Sequence, residues 1–224
     1  MPAKQLLTSL LVRITITFII VGALLFGPAG SFLYWNGWLF LAALFVPMVV
    51  VLIYLYRRNR ALLEKRLKTK EKEKEQKTYL KLSLVWFFIA FLVPGFDFRY
   101  GWSHVPVWLV TIATVIMVFG YLLFIVAMVQ NSFASRVVEI QDRQRVVDSG
   151  MYSVVRHPMY LAAIIMYMAC PLVLGSYYAL LPNILLPVLL VYRLLNEEKV
   201  LRSGLEGYEE YSKRVRYRLV PFVW

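Results

Sequence analysis

The sequence predicts an all-α integral membrane protein: a bundle of about four transmembrane helices followed by a proline-interrupted helical hairpin. Hydrophobic residues make up 60% of the 224 residues and charged residues only 17%, a composition typical of polytopic membrane proteins. The net charge is +12, and the positive charges stand in blocks between apolar runs instead of being spread over a folded surface. This pattern is typical of cytoplasmic loops, so we expect a lipid bilayer and no nucleic acid as partner.

Four apolar stretches are long enough to cross a bilayer, which takes roughly 20 helical residues. They cover residues 11–26, 37–56, 82–95 and 107–129. The third stretch is the shortest of the four, and it is predicted to end at Pro94-Gly95.

The connections between these stretches differ in charge, and the difference predicts the orientation in the membrane. Residues 27–37 carry no charge, whereas the loop 57–81 and the segments 130–157 and 193–218 are rich in lysine and arginine. Positive charge favours the cytoplasmic side of a membrane. We therefore expect a multi-pass protein with both termini, the loop 57–81 and the segment 130–157 in the cytoplasm.

The chain divides into two regions at residue 129. Residues 1–129 form the transmembrane helical region with its basic cytoplasmic loop, and residues 130–224 contain the polar motifs and the hairpin 158–192. The two apolar arms of that hairpin contain four prolines and meet at Gly175-Ser176. If the hairpin folds back, its two polar ends meet at the cytoplasmic interface. A pocket there would suit a water-soluble cofactor and a lipophilic substrate.

Cysteine and histidine are too few and too scattered for a metal site. The single cysteine, Cys170, lies within an apolar segment, and the two histidines, His104 and His157, are predicted on opposite faces of the membrane. The sequence has neither a Gly-x-Gly-x-x-Gly motif after a strand nor a phosphate loop. We therefore expect no metal and no Rossmann-type cofactor domain.

The order of motifs over residues 130–224 is more specific than any single residue. It combines Arg156-His157-Pro158-x-Tyr160, the pair Glu197-Glu198, and Tyr208-x-x-Tyr211 near the end of the chain. Upstream of these stand Val147 and the turn Gly150-x-Tyr152. This series resembles the isoprenylcysteine carboxyl methyltransferase family. Ala162 and Gln144 depart from the glycine and histidine of many relatives, and these departures bear on the substrate more than on the cofactor.

The resemblance implies an integral membrane methyltransferase that uses S-adenosyl-L-methionine, held by a cytoplasmic C-terminal cofactor-binding segment. The positions that it assigns to cofactor binding are Val147, Gly150, Tyr152, His157, Pro158, Tyr160, Glu198, Tyr208 and Tyr211. Those that it assigns to catalysis are Arg156, Arg214 and Glu197, with the two arginines orienting an anionic acceptor.

The methyl acceptor stays open at this point. A lipophilic or prenylated carboxylate, such as an isoprenylcysteine, is the leading candidate, and its carboxylate is already ionised at neutral pH and needs no general base. A phospholipid or another lipophilic amine or phenol would have to lose a proton, for which Glu197, Glu198 and His157 are candidates. Two other classes are an NADPH-dependent membrane reductase of the sterol type and a transporter or scaffold that binds no cofactor.

Overall fold

The computed structural model describes residues 3–67, 74–135 and 137–224, and the described part of the chain is helical without strands. The helices are α1 (Ala3–Ala29), α2 (Trp35–Arg58), α3 (Arg60–Leu67), α4 (Lys74–Tyr100), α5 (Val107–Gln130), α6 (Pro158–Val173), α7 (Leu180–Asn183), α8 (Leu185–Gly204) and α9 (Tyr208–Arg214). A single 3₁₀ turn covers Gly150–Ser153. The predicted all-α fold class is confirmed. Residues 68–73 of the predicted basic loop lie outside the described residues.

Five stretches of the described chain are long and apolar enough to cross a membrane: Lys4–Ala29, Trp35–Arg58, Gln76–Tyr100, Val107–Gln130 and Leu180–Gly204. The first four contain the four predicted spans. On the outside of the bundle, large apolar side chains are more than half exposed, as at Ile19 (61%), Val46 (62%) and Val115 (65%). An apolar exterior of this kind suits a lipid environment, and the chain is a multi-pass integral membrane protein.

The prediction that the third span ends at Pro94-Gly95 is wrong, because α4 continues as a helix to Tyr100. Gly95 lies against the backbone of α1, and a Cβ there would stand 2.6 Å from the Leu25 carbonyl oxygen. Gly95 therefore serves helix packing here, and neither Pro94 nor Gly95 ends the helix. Beyond them, the Asp97 carboxylate accepts hydrogen bonds from the Ser103 backbone N–H (2.8 Å) and from its hydroxyl (2.5 Å).

The hairpin after α5 forms as predicted, but its second arm is longer than residue 192. Its first arm is α6, with 16 residues, and the chain reverses at Gly175, whose φ of +72° favours glycine. Helix α8 then runs to Gly204 because the sequence from Val188 to Ser203 contains neither proline nor glycine. Charged residues of α8 therefore lie on the helix itself and not in a loop after it.

The hairpin is anchored at both ends. At its turn, the Tyr34 hydroxyl donates to the Leu174 carbonyl (2.5 Å) and the Asn36 amide donates to the Val173 carbonyl (3.0 Å). At its other end, the C-terminal segment after α9 returns to the start of α6. The backbone N–H groups of Arg156 and His157 donate to the carbonyls of Tyr217 and Arg218, both at 2.9 Å. This return brings the polar ends of the hairpin together.

Candidate functional site

A cavity of about 520 Å³ lies where α6 begins and α8 ends. Its size falls in the range of small-molecule sites, about 300–1,000 Å³. Its lining on α8 extends from Leu186 to Leu201, which corresponds to roughly 22 Å along the helix axis. The polar end of the cavity is formed by Glu139, Gln144, Arg145 and Tyr208, and its apolar arm by Trp86, Phe87, Ala163, Leu186 and Leu190.

Glu198 is the centre of the polar contacts behind the cavity. Its Oε1 accepts a hydrogen bond from Arg156 Nε at 2.6 Å and lies 3.3 Å from His157 Nε2. Its Oε2 accepts from Arg218 Nε at 2.8 Å. The side chains of Glu198, Arg156 and His157 are each only 4% exposed. The two guanidinium groups compensate the charge of the buried Glu198 carboxylate. This cluster therefore holds α8, the start of α6 and the C-terminal segment in one arrangement.

Arg156 also donates hydrogen bonds to backbone carbonyls of the C-terminal segment. Its NH1 donates to the carbonyls of Val215 (2.8 Å), Arg216 (2.9 Å) and Ser212 (3.4 Å). The side chain of Arg156 is 4% exposed, so its guanidinium faces the protein on nearly all sides. Pro158 follows at the first position of α6, where a missing N–H costs nothing.

Glu197, the neighbour of Glu198, faces the cavity and has different partners. Its Oε2 accepts a hydrogen bond from the Tyr160 hydroxyl at 2.5 Å. Arg193 Nε donates to the same hydroxyl oxygen at 3.2 Å. All three side chains line the cavity, between its polar end and its apolar arm. A carboxylate, a phenol and a guanidinium therefore stand together at the border of the two regions.

Three tyrosines form the wall contributed by the 3₁₀ turn and α9. The Tyr211 hydroxyl donates to the Tyr152 carbonyl at 2.7 Å, which joins these two elements. Burial raises the pKa of Tyr152 to about 12, and burial also raises the pKa of Tyr208 and Tyr211 above its usual value. The hydroxyls therefore stay protonated at neutral pH. The Tyr208 hydroxyl is buried and has no hydrogen-bond partner within the part of the chain that the structure describes, so it remains an unused donor and acceptor at the polar end.

The structure brings most of the predicted site residues to the cavity and leaves a few outside its lining. Those that line it are Val147, Tyr152, Arg156, His157, Tyr160, Glu197, Tyr208 and Tyr211. Glu198 and Pro158 lie behind this wall as buried supports. Arg214 is exposed and pairs with Asp148.

Gly150 supports the site through the backbone. Its φ is +60°, and a Cβ there would stand 2.6 Å from Gln130 Oε1. The same oxygen accepts a hydrogen bond from the Met151 N–H at 2.9 Å. Glycine at this position therefore lets the 3₁₀ turn pack directly against the end of α5.

Sequence reasoning missed the contribution of the first 129 residues to the cavity. Side chains of α4 line it, including Tyr79, Ser83 and Trp86, together with Arg66 of α3. The helical spacing of three and four residues from Tyr79 to Trp86 was a usable signal for one shared face. Arg145 of the segment after α5 was also missed as a site residue, although it lines the polar end and is exposed.

Within the described part of the chain, no group of three or more His, Cys, Asp and Glu residues stands close enough to hold a metal ion. Three charged residues of the lining have partners in the protein: Arg156 pairs with Glu198 and backbone carbonyls, and Glu197 and Arg193 share the Tyr160 hydroxyl.

Among known proteins, the isoprenylcysteine carboxyl methyltransferase (ICMT) family has a model that matches residues 111–203. This segment contains Arg156, His157, Glu197 and Glu198. The Delta(14)-sterol reductase TM7SF2 of Mus musculus is 39% identical over 80 residues, which are 34% of this chain and 19% of the reductase. The chain thus matches only about a fifth of that relative's length.

The fold is similar to a solved structure, that of the eukaryotic intramembrane Ras methyltransferase ICMT determined without a monobody. The match covers 84% of this chain and 74% of that chain, with a TM-score of 0.50 and 19% sequence identity. At this identity the likeness establishes the membrane fold and not the substrate.

Proposed function

Because residues 111–203 match the model of the isoprenylcysteine carboxyl methyltransferase family, we propose that the chain is an S-adenosylmethionine-dependent membrane methyltransferase acting on a lipophilic carboxylate. The observation that carries this proposal is the cavity, which joins a polar end at α9 to an apolar arm between α4, α6 and α8. A polar cofactor and a lipophilic acceptor can meet at the border between them.

The residues of the polar end fit the chemistry of S-adenosylmethionine. The buried Tyr208 hydroxyl has no partner among residues 3–67, 74–135 and 137–224, and a ribose or amino-acid group of the cofactor would supply one. Asn131 and Glu139 offer further polar groups, and Val147 and Leu205 offer apolar surface of the kind that an adenine ring covers. His157 and Tyr160 also line the cavity, and the family resemblance implies cofactor contacts at both positions.

When bound, S-adenosylmethionine supplies an electrophilic methyl group, and the protein holds the acceptor in line with it. We propose that Arg145, and not Arg214, orients the acceptor carboxylate, because Arg145 lines the cavity whereas Arg214 pairs with Asp148 at the surface. Arg156 has a positioning role, because its side chain donates hydrogen bonds to Glu198 and to carbonyls of the C-terminal segment. An ionised carboxylate needs no general base, so Glu197 serves to fix the Tyr160 hydroxyl.

For an acceptor that must lose a proton, the structure favours Glu197 over Glu198 as the base. Glu198 already accepts from two arginines and lies beside His157, whereas Glu197 accepts from Tyr160 and lines the cavity. A lipophilic amine or phenol is therefore the second acceptor class that this site would serve.

A membrane reductase is the second candidate function, and the 39% identity with the mouse sterol reductase over 80 residues is the observation in its favour. The two functions differ in cofactor. A reductase of this class would bind NADPH, and a methyltransferase would bind S-adenosylmethionine and its product S-adenosylhomocysteine.

Calorimetric titration of the detergent-purified protein with S-adenosylhomocysteine and with NADPH tests the proposal. We expect saturable binding of S-adenosylhomocysteine alone, weakened about tenfold in Tyr208→Phe because one hydrogen bond at the polar end is lost. Tyr192→Phe is the matched control, since Tyr192 is exposed on α8. Binding of NADPH alone would contradict the methyltransferase and support the reductase.

A further inference from the structure

Helix α4 contributes two unpaired polar groups to the cavity wall. Ser83 and Trp86 both line the cavity, and they stand three residues apart on one face of the helix. The Ser83 hydroxyl oxygen and the Trp86 indole nitrogen are buried, and neither has a hydrogen-bond partner among the described residues. The indole N–H can only donate, and a hydroxyl can donate as well. The two groups are therefore matched to an acceptor atom and not to a hydrocarbon surface.

The hydroxyl group of serine or threonine in a membrane helix usually donates a hydrogen bond to the backbone carbonyl four residues earlier. Thr17 does so to Arg13 and Thr114 to Val110, both at 2.8 Å. Ser83 does not make the equivalent bond to Tyr79. Because buried donors are rarely left unpaired, these two atoms call for a partner that the described residues do not supply.

The depth of the two donors can be measured along α4. Gln76 marks the level of Arg193, since its side-chain amide donates to the Arg193 carbonyl at 3.2 Å. Ser83 and Trp86 follow Gln76 by seven and ten residues, which places them roughly 10 and 15 Å further along the helix axis. Phe87, Ala163 and Leu186 are apolar neighbours in the wall, and the Tyr167 ring packs on Trp86 with 6.0 Å between the ring centroids. The donors thus stand well inside the apolar arm.

We infer that the lipid bound in the apolar arm carries a hydrogen-bond-accepting oxygen within its chain, such as a keto, ester or ether oxygen, which Trp86 and Ser83 recognise. That this lipid is the methyl acceptor rests on the proposed function. The recognition itself rests only on the two unpaired donors. A chain made of hydrocarbon alone leaves both donors unpaired and binds less tightly.

Equilibrium binding of radiolabelled stearate and of its mid-chain keto derivative to the detergent-purified protein tests this inference. We expect the keto lipid to bind about tenfold more tightly to the wild type, and this preference to disappear in Trp86→Phe. Trp108→Phe is the matched control, because Trp108 is 63% exposed on α5, and it should keep the preference. Ser83→Ala provides a second variant that removes one donor with little change in volume.

Equal affinity for the two lipids would overturn the inference, as would a preference that persists in both Trp86→Phe and Ser83→Ala. Water molecules would then be the hydrogen-bond partners of Ser83 and Trp86. The assay needs no methyl transfer, so its result is separate from the cofactor titration. A keto preference without S-adenosylhomocysteine binding would refute the methyltransferase and leave the lipid recognition standing.

Discussion

At the scale of the residue, two adjacent glutamates do different work. Glu198 is enclosed by Arg156, His157 and Arg218, whereas Glu197 accepts a hydrogen bond from Tyr160 and lines the cavity. Successive residues on a helix point about 100° apart, so one faces the C-terminal segment and the other faces the cavity. Glu198 therefore supports the structure of the site, and we propose that Glu197 belongs to its reactive surface.

We predict that Glu198→Gln destabilises the protein by about 3–5 kcal/mol, because it leaves the buried Arg156 guanidinium without a compensating charge. Unfolding in mixed micelles of increasing denaturing detergent measures this free energy. Glu197→Gln is the matched control: it makes the same change one residue away and should retain most of the stability. Equal stability of the two variants would show that the cluster around Glu198 does not hold the fold together.

At the scale of the element, the position of the hairpin depends on how closely α6 can approach α5. Gly120 of α5 lies against the backbone of α6, and a Cβ there would stand 2.7 Å from the Met166 nitrogen and 3.1 Å from the Ala162 carbonyl oxygen. Small residues allow such close approach in membrane helices. Since α6 carries Tyr160 and Ala163 toward the cavity, and His157 directly precedes it, this contact fixes the wall of the site.

We predict that Gly120→Ala destabilises the protein by about 1–3 kcal/mol, because the added methyl group meets backbone atoms that cannot rotate away. Gly22→Ala on α1 is the control. Nothing lies within 4 Å of a Cβ at that position, so the change should be neutral or stabilising. Thermal unfolding in detergent compares the two variants. A Gly120→Ala protein as stable as Gly22→Ala would mean that α5 and α6 can separate without cost.

At the scale of the whole molecule, the site combines both halves of the chain. The apolar arm uses α4 together with α6 and α8, and the polar end uses the segment after α5 together with α9. The C-terminal segment closes this arrangement by pairing with Arg156 and His157. The division into regions 1–129 and 130–224 therefore describes where the motifs lie, and we propose that the functional unit is the complete bundle.

We predict that the polar end of the cavity faces the cytoplasm, as the distribution of positive charge indicates. The sole cysteine, Cys170, is buried, so single cysteines can be introduced with little background labelling. His104→Cys, in the loop between α4 and α5, should react with a membrane-impermeant thiol reagent on intact cells. Glu210→Cys, on α9, should react only after permeabilisation. The reverse pattern would place the cofactor site outside the cell.

The sequence by itself determined the membrane fold, the positions of the spans and the region of the polar motifs. Apolar stretches of sufficient length must form helices in a bilayer, because every backbone N–H and carbonyl there has to be paired within the segment. The sequence predicts that the third span ends at Gly95 and the hairpin at residue 192, because proline, glycine and charged residues usually mark the end of an apolar helix. Both helices are longer than this. A tertiary contact decided the first case, because Gly95 packs on α1. In the second case α8 continues because Val188 to Ser203 contain neither proline nor glycine, and tertiary contacts compensate the charge of Glu198.

Only the tertiary structure decided which residues of the polar motifs line the cavity and which support it. Glu197 and Glu198 are indistinguishable in the sequence, and Arg156 and Arg214 have the same chemistry, yet one member of each pair is buried and committed to other groups. The donors of α4 were hidden for the same reason. The polar atoms of Ser83 and Trp86 indicate a binding partner only because α6 and α8 cover them. At an exposed position water would supply the hydrogen bonds that these buried atoms lack.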